Sequence, residues 1–252
     1  MNILVVFIIV KINVIMKFGE IYKICVPEKK KETDKLIPWL YYVVRPISIL
    51  ITKPLIKTSI TPVQVTFLSM ITTLIGFSLL GFGQNVNIRI LGWIGFFIWA
   101  ILDCVDGNLA RCKGLASERG ALWDATGGYL ALSLIFFSVG IAAYYDSNMI
   151  ELFDKHLNII LGGFTSLMSL FPRLIMQKKK TGSGGAESVK AVGDKASFNM
   201  PKIIALNLES SIGLMQVMVL FAIIFHFLNL FILFYFFINI LITVYSLYTL
   251  LK

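Results

Sequence analysis

Two long apolar stretches that carry acidic residues beside a short basic loop decide what fold this chain can form. Residues 89–112 read RILGWIGFFIWAILDCVDGNLARC, and residues 119–144 read RGALWDATGGYLALSLIFFSVGIAAY. Each exceeds the roughly 20 residues that a helix needs to cross the hydrocarbon core of a membrane. Because the loop between them is short, the two helices can pack side by side, and their acidic ends then meet near one membrane surface.

The composition extends this conclusion to the rest of the chain. Of the 252 residues, 57% are hydrophobic and 15% are charged, whereas a soluble domain carries about 25% charged residues. The sequence therefore predicts an all-α membrane protein with six transmembrane helices, preceded by an interfacial amphipathic helix. The six spans are expected at residues 62–83, 89–112, 119–144, 157–177, 205–227 and 229–251.

The chain divides into three segments. Residues 1–35 form a polar N-terminal segment, mostly solvated over 27–35. Residues 36–58 mix aromatic, basic and apolar side chains, which is typical of a helix in the membrane interface, and Pro46 and Pro54 are expected to bend or break it. Residues 59–252 form the six-helix domain.

Two stretches outside the spans carry expectations of their own. The apolar residues 1–15 are too few to cross a bilayer, and the chain is expected to start at Met1 or at Met16. Residues 181–186, TGSGGA, have the composition of a flexible linker.

Charge predicts how the domain is oriented. The chain has a net charge of +9, and its basic residues fall in alternate loops, such as 111–119, whereas loop 145–156 is mainly acidic. Because cytoplasmic loops of membrane proteins are enriched in Lys and Arg, both termini and the 111–119 loop are expected on the cytoplasmic side. The positive charge is thus explained without nucleic acid, which is not expected as a partner.

The cysteines and histidines suggest no chemistry. Cys25, Cys104 and Cys112 are odd in number and have no CxxC spacing, so neither a disulfide framework nor a zinc site is expected. His156 and His226 lie far apart beside apolar runs and are expected to be interfacial.

The acidic residues beside the short loop form a candidate metal site. Asp103 and Asp106 are three residues apart and share one helix face, and Asp124 can face them from the next helix. Acids at membrane depth are costly and usually functional, and three of them repel one another unless a cation joins them. Carboxylate oxygens favour Mg²⁺ or Mn²⁺ over zinc. The alternative is that these residues are interfacial caps.

Small and basic residues on the same faces predict a phosphate site. Gly107 and Ala110 share the stripe of the first two aspartates, and Gly120 lies four residues before Asp124. Their small size lets a phosphate approach the helix, and Arg111 can pair with its oxygens in a fork. Divalent cations together with phosphate contacts imply phosphoryl transfer.

This pattern resembles the signature of the CDP-alcohol phosphatidyltransferase family, D-x2-D-G-x2-A-R-x8-G-x3-D-x3-D. The chain keeps every spacing at all positions except the last, with Asp103, Asp106, Gly107, Ala110, Arg111, Gly120 and Asp124. The resemblance covers about residues 36–252. It implies transfer of a phosphatidyl or phosphoalcohol group from a CDP-linked alcohol or CDP-diacylglycerol to a hydroxyl acceptor, with release of CMP. It also implies divalent cations held by Asp103, Asp106 and Asp124, and it leaves room for a homodimer.

The last signature position is Gly128, where the family has the aspartate thought to deprotonate the acceptor. A glycine can neither bind a metal nor accept a proton. Asp124 stays the catalytic carboxylate of the signature, and Glu118 and Glu209 are candidate replacement bases. Otherwise the acceptor ionises unaided, or the protein is a catalytically impaired homologue that binds or transports a CDP-alcohol or a lipid.

Two further predictions rest on the same resemblance. The first span begins Thr61-Pro62-Val63-Gln64-Val65-Thr66, similar to the family pattern T-P-N-x-x-T except at Val63. Thr61 and Thr66 are expected to contact the nucleotide, the alternative being helix capping. Arg173 is expected to help bind an acceptor phosphate, the alternative being an arginine that extends to the interface.

Overall fold

The computed structural model describes residues 18–148, 152–181 and 200–251, and these residues form helices and no strand. The helices are α1 (Phe18–Cys25), α2 (Glu28–Lys35), α3 (Arg45–Leu55), α4 (Pro62–Phe82), α5 (Val86–Cys112), α6 (Glu118–Tyr145), α7 (His156–Thr181), α8 (Met200–Glu209), α9 (Leu214–Ile224) and α10 (Leu228–Leu251). The expectations for residues 1–15, Met16 and the linker after Thr181 lie outside the described residues.

Five helices, α4, α5, α6, α7 and α10, are long and apolar enough to cross a membrane. Their ends fall within a few residues of the predicted spans. Polar caps set three of the starts, because the side chains of Thr61, Asn85 and Ser117 accept hydrogen bonds from backbone N–H groups of the first turn. The chain is therefore an all-α integral membrane protein with several spans, as predicted.

The fifth predicted span, 205–227, is wrong as a continuous helix. It is divided into α8 and α9, which are bent by 53° and which count as a sixth span only when taken together. The break falls in residues 210–213, where the serine side chains compete for backbone hydrogen bonds and Gly213 lowers helix propensity. A Cβ on Gly213 would lie 2.8 Å from the carbonyl oxygen of Asn207, so the turn requires a glycine there.

Close packing of α4 against α5 positions the polar ends of these helices. A Cβ on Gly95 of α5 would lie 2.7 Å from the Cα atom of Gly76 in α4. The two backbones can approach this closely only because both residues lack a side chain. Farther along the same pair of helices, this approach brings Thr66 of α4 to Asp106 of α5.

The segment before the first span is more ordered than its charge suggested. A π-helical turn, Leu40–Val44, leads directly into α3, where Pro46 lies in the first turn and Pro54 in the last. Pro46 therefore does not break the helix, since the first turn tolerates proline. Helices α1 and α2, here named the N-terminal arm (residues 18–35), pack against the bundle. Within the arm Asp34 is only 4% exposed.

One disulfide joins Cys25 of the arm to Cys112 at the end of α5, a single bond where the sequence predicts no disulfide framework. Their Cα atoms are 5.7 Å apart, although 87 positions separate them in sequence. Packing of the arm on α5 creates this proximity, and counting cysteines could not show it. Cys104 is a buried free thiol.

Candidate active site

A buried carboxylate with one unpartnered oxygen lies at the centre of the site. Asp106, near the end of α5, is 3% exposed, and its Oδ2 accepts a hydrogen bond of 2.5 Å from Thr66 Oγ1. Its Oδ1 is buried and has no hydrogen-bond partner in the described part of the chain. A buried polar atom without a partner is costly, so this oxygen is suited to a cation or to a donor from a ligand.

The other two signature aspartates lie near Asp106. Asp103 is half-buried one helical turn earlier, close enough to both Asp106 and Asp124 for their charges to interact. Asp124, in the second turn of α6, is exposed. The structure thus brings the three predicted carboxylates within electrostatic reach of one another, from two neighbouring helices.

The chemistry of this donor set fits Mg²⁺ or Mn²⁺, because all three residues offer hard carboxylate oxygens and one of those oxygens is buried without a partner. The three side chains do not form a ready-made cage. Within residues 18–148, 152–181 and 200–251, no three His, Cys, Asp or Glu side chains are grouped closely enough to hold a metal ion. Binding would therefore require the side chains of Asp103 and Asp124 to turn towards a common point.

The signature arginine is held by protein groups. Arg111 Nε donates to the carbonyl oxygen of Cys25, and Nη2 donates to Asn108 Oδ1 at 2.9 Å. Asn108 in turn donates to the hydroxyl oxygens of Ser48 and Thr52 on α3, each at 3.3 Å. Sequence analysis assigned Arg111 to phosphate and missed Asn108, which occupies an unspecified position of the signature.

The small residues have separate roles. Arg111 lies across Gly107, since its Nη1 is 3.3 Å from the position that a Cβ on Gly107 would take. Gly120 lies in the first turn of α6 and donates its N–H to Ser117 Oγ at 3.1 Å. A Cβ on Gly128 would meet no atom within 4 Å, so a larger side chain fits at that position. Ala110 is half-buried on α5.

A lysine of the N-terminal arm belongs to the electrostatic surroundings of the three aspartates, and sequence analysis missed it. Lys30 of α2 is half-buried, and its charge acts on Asp103, Asp106 and Asp124. Burial lowers the pKa of the Lys30 ammonium from its ordinary value, and the positive charges of Arg111 and Arg45 lower it further. Lys30 is the middle residue of a Lys-Lys-Lys run, and nothing in that run distinguishes it from its neighbours.

The two threonines of the first span differ. Thr61 is exposed and forms a capping box with Gln64, in which each side chain accepts the backbone N–H of the other residue. The capping interpretation therefore describes Thr61. Thr66 is buried and joins α4 to the acid cluster through Asp106.

The candidate replacement bases lie in different places. Glu118 is exposed in the first turn of α6. Glu209 is the last residue of α8 and meets Arg173 of α7, whose Nε is 3.8 Å from Glu209 Oε1 and whose Nη2 donates to the Glu209 carbonyl oxygen at 3.3 Å. The structure thus pairs two residues that sequence analysis had singled out separately.

Comparison with known proteins identifies the family to which this arrangement belongs. No curated protein matches the chain. The family model described as CDP-alcohol phosphatidyltransferase matches residues 59–245, a region that includes α4 and the three carboxylates of α5 and α6. The chain belongs to the CDP-alcohol phosphatidyltransferase family.

Proposed function

We propose that this protein transfers a phosphatidyl or phosphoalcohol group from a CDP-linked donor to a hydroxyl acceptor and releases CMP. The buried, unpartnered Oδ1 of Asp106 carries this proposal, because it lies beside two further carboxylates inside the region that matches the family. We also propose that this end of the bundle faces the cytoplasm, since the basic loops lie there, and that the protein can act as a homodimer.

In this reaction the acceptor oxygen attacks the phosphorus atom that bears the alcohol or lipid. The bond from that phosphorus to the CMP oxygen breaks, CMP leaves with the bonding electrons, and the acceptor loses its proton. Negative charge therefore builds on the phosphate oxygens and on the leaving group. Stabilising such charge with preorganised groups is usually the largest contribution to catalysis.

Asp103, Asp106 and Asp124 would hold Mg²⁺ or Mn²⁺ at this place. When bound, the ion would neutralise the diphosphate and stabilise the departing CMP. Thr66 orients Asp106 through its hydrogen bond at 2.5 Å, which leaves Oδ1 as the oxygen available to a ligand. A hydrogen bond of this kind fixes the geometry of a ligating carboxylate.

The proton of the acceptor needs a group other than residue 128, because Gly128 has no side chain. Asp124 is one candidate, and Glu118 and Glu209 are the others. The same glycine supports a second function, in which the protein binds a CDP-alcohol or a lipid and catalyses transfer poorly.

A CMP-release assay separates the two functions. The protein in lipid nanodiscs would be incubated with CDP-diacylglycerol or a soluble CDP-alcohol, a panel of hydroxyl acceptors, and either Mg²⁺, Mn²⁺ or a chelator. Transfer predicts CMP release that needs the metal and that disappears in Asp103→Asn. Binding of the donor without CMP release would support the second function, and release by Asp103→Asn would contradict the first.

A further inference from the structure

The guanidinium of Arg111 is held in one orientation beside the signature aspartates. Its Nη1 and Nη2 atoms are 3.3 and 3.5 Å from the position that a Cβ on Gly107 would take, so the group covers Gly107, which directly follows Asp106. Nε donates to the carbonyl oxygen of Cys25, and Nη2 donates to Asn108 Oδ1 at 2.9 Å. Because the guanidinium is planar and rigid, two acceptors on different nitrogens prevent it from rotating.

Three N–H groups of Arg111 are left for a ligand. A guanidinium has five N–H donors, and the hydrogen bonds within the described residues use one on Nε and one on Nη2. Both hydrogens of Nη1 and one of Nη2 therefore remain. Parallel donors on two nitrogens match two oxygens of a phosphate, which is the bidentate contact that arginine forms with phosphate groups.

The amide of Asn108 has its orientation fixed from the other side. Asn108 is 0% exposed, and its Nδ2 donates to Ser48 Oγ and Thr52 Oγ1 at 3.3 Å each. Both hydroxyls give their own hydrogens to backbone carbonyl oxygens of α3, those of Arg45 and Ser48. In this arrangement the hydroxyls can only accept, so the amide nitrogen must face α3 and Oδ1 must face Arg111.

This polar connection is more than the packing of α3 on α5 requires. Replacing all partners of a buried hydrogen bond by apolar groups of the same shape is often nearly neutral for stability. Asn108 Oδ1 also has a longer contact of 3.5 Å with Nη1 of Arg45, which is itself paired with Asp34. What Asn108 adds beyond packing is a fixed direction for the side chain of Arg111.

We propose that Asn108 is a positioning residue, which holds Arg111 so that its free Nη1 and Nη2 hydrogens bind a phosphate of the CDP-linked donor. The inference rests on the proposed function. It concerns a position that the family signature leaves unspecified, and it assigns Asn108 no contact with the donor itself. Removing the amide should therefore weaken the binding of the anion only while Arg111 is present, and it should leave the binding of a divalent cation unchanged.

The test is a double-mutant cycle on the full chain in nanodiscs. CDP binding in the presence of Mg²⁺ would be measured by calorimetry, and Mn²⁺ binding without nucleotide by electron paramagnetic resonance. The cycle compares the wild type, Asn108→Leu, Arg111→Met and the double variant. Thermal unfolding of each variant checks that it is folded.

Two further variants complete the comparison. Asn108→Thr is the milder change, because its hydroxyl can still bond to α3 while the acceptor of Arg111 is lost, and it replaces Asn108→Leu in the cycle should the latter not fold. Asn239→Leu is the matched control, since it removes another buried asparagine, in α10, whose Nδ2 donates to a backbone carbonyl oxygen of its own helix.

We expect Asn108→Leu and Asn108→Thr to bind CDP about 10-fold more weakly, a loss typical of residues that share one hydrogen-bond network. Arg111→Met should lose about 10- to 100-fold, as for a charged hydrogen bond. Adding Asn108→Leu to Arg111→Met should cause no further loss. Both Asn108 variants should bind Mn²⁺ like the wild type, and Asn239→Leu should match the wild type with both probes.

Three results would overturn the inference and leave the proposed function standing. Unchanged CDP affinity in both Asn108 variants would show that the amide does not prepare the phosphate site. An equal loss with and without Arg111 would show that Asn108 acts through another group. Loss of both CDP and Mn²⁺ binding in both Asn108 variants would assign the residue to the fold alone. By contrast, a wild-type protein that binds no CDP in the presence of Mg²⁺ would refute the proposed function itself, and this inference with it.

Discussion

Two buried aspartates at opposite ends of the helical bundle, Asp146 and Asp106, differ in how completely the protein satisfies them. At the end away from the site, Asp146 Oδ2 lies 2.8 Å from Arg89 Nη1, and both Asp146 oxygens lie 3.0 Å from His226 Nδ1. Arg89 Nε also donates to the Gly83 carbonyl oxygen at 3.0 Å. At the site end, Asp106 keeps one buried oxygen without a partner among the described residues.

This difference separates a structural role from a functional one. The Arg89–Asp146–His226 cluster ties the start of α5 and the end of α6 to the turn between α9 and α10, where His226 takes a positive φ of 56°. Its charges are satisfied inside the protein. The charges of the site end are satisfied only in part, which is the condition expected where a ligand completes the arrangement.

Changing the unpartnered aspartate should have the largest effect. We expect Asp106→Asn to lower CMP release about 10²- to 10³-fold, because a neutral amide no longer offers a charged oxygen at the centre of the cluster. Thermal stability should change little, since the amide keeps an acceptor for Thr66. The measurement is initial CMP release at saturating metal. Activity within twofold of the wild type would remove Asp106 from the chemistry.

Replacing Asp146, the buried aspartate at the other end of the bundle, should lower stability and leave CDP binding nearly unchanged. Asp146→Ala leaves Arg89, which is 2% exposed, as an unpaired buried charge, and this should lower stability by roughly 3 kcal/mol. The expected readout is an earlier loss of folded protein on heating, with near-normal CDP affinity in the protein that stays folded. A stable variant that no longer binds CDP would abolish the distinction between the two ends.

Adding a carboxylate at residue 128 tests whether the site lacks a base. A side chain at residue 128 would enter open space, so Gly128→Asp should fold normally. If proton removal limits turnover, the new base should raise kcat roughly 10²-fold, the lower end of general base catalysis. Gly128→Asn is the control, since it adds similar bulk without a base. Equal kcat in both variants and the wild type would show that another group already accepts the proton.

The smallest effect is expected at the Arg173–Glu209 pair. Both side chains are partly exposed and 3.8 Å apart, and such a pair contributes little. Arg173→Met should raise KM about threefold for an acceptor that carries a phosphate, the equivalent of less than about 1 kcal/mol. KM for an uncharged acceptor should stay the same. A rise for both acceptors would assign Arg173 a structural role instead.

Sequence alone predicted the spans and the acid cluster because both depend on local spacing. Apolar length defines a span. Residues three or four apart share a helix face, so the spacing of Asp103 and Asp106 predicts that both lie on one face of the same helix. Asp106 and Asp146 look alike in sequence, however, since each is an aspartate near a helix end. Only tertiary packing shows which of them has Arg89 as a partner.

The contacts of the arm were beyond sequence analysis for a related reason. Lys30 belongs to a charged run without periodicity, and the approach of Cys25 to Cys112 joins positions 87 residues apart. The break before Gly213 was also missed, because the apolar length of residues 205–227 suits a single helix. Each of these features depends on tertiary contacts between distant segments, which a local sequence pattern does not predict.

The disulfide and the Asp34–Arg45 pair have a practical consequence for anyone shortening this protein. The family match starts at residue 59, and a chain cut at that border would keep the signature aspartates but lose Lys30, Arg45 and the partner of Cys112. Arg111 would also lose the Cys25 oxygen that accepts its Nε hydrogen. A shortened chain that is to keep these contacts must therefore begin no later than α1 of the arm, well before the border of the family match.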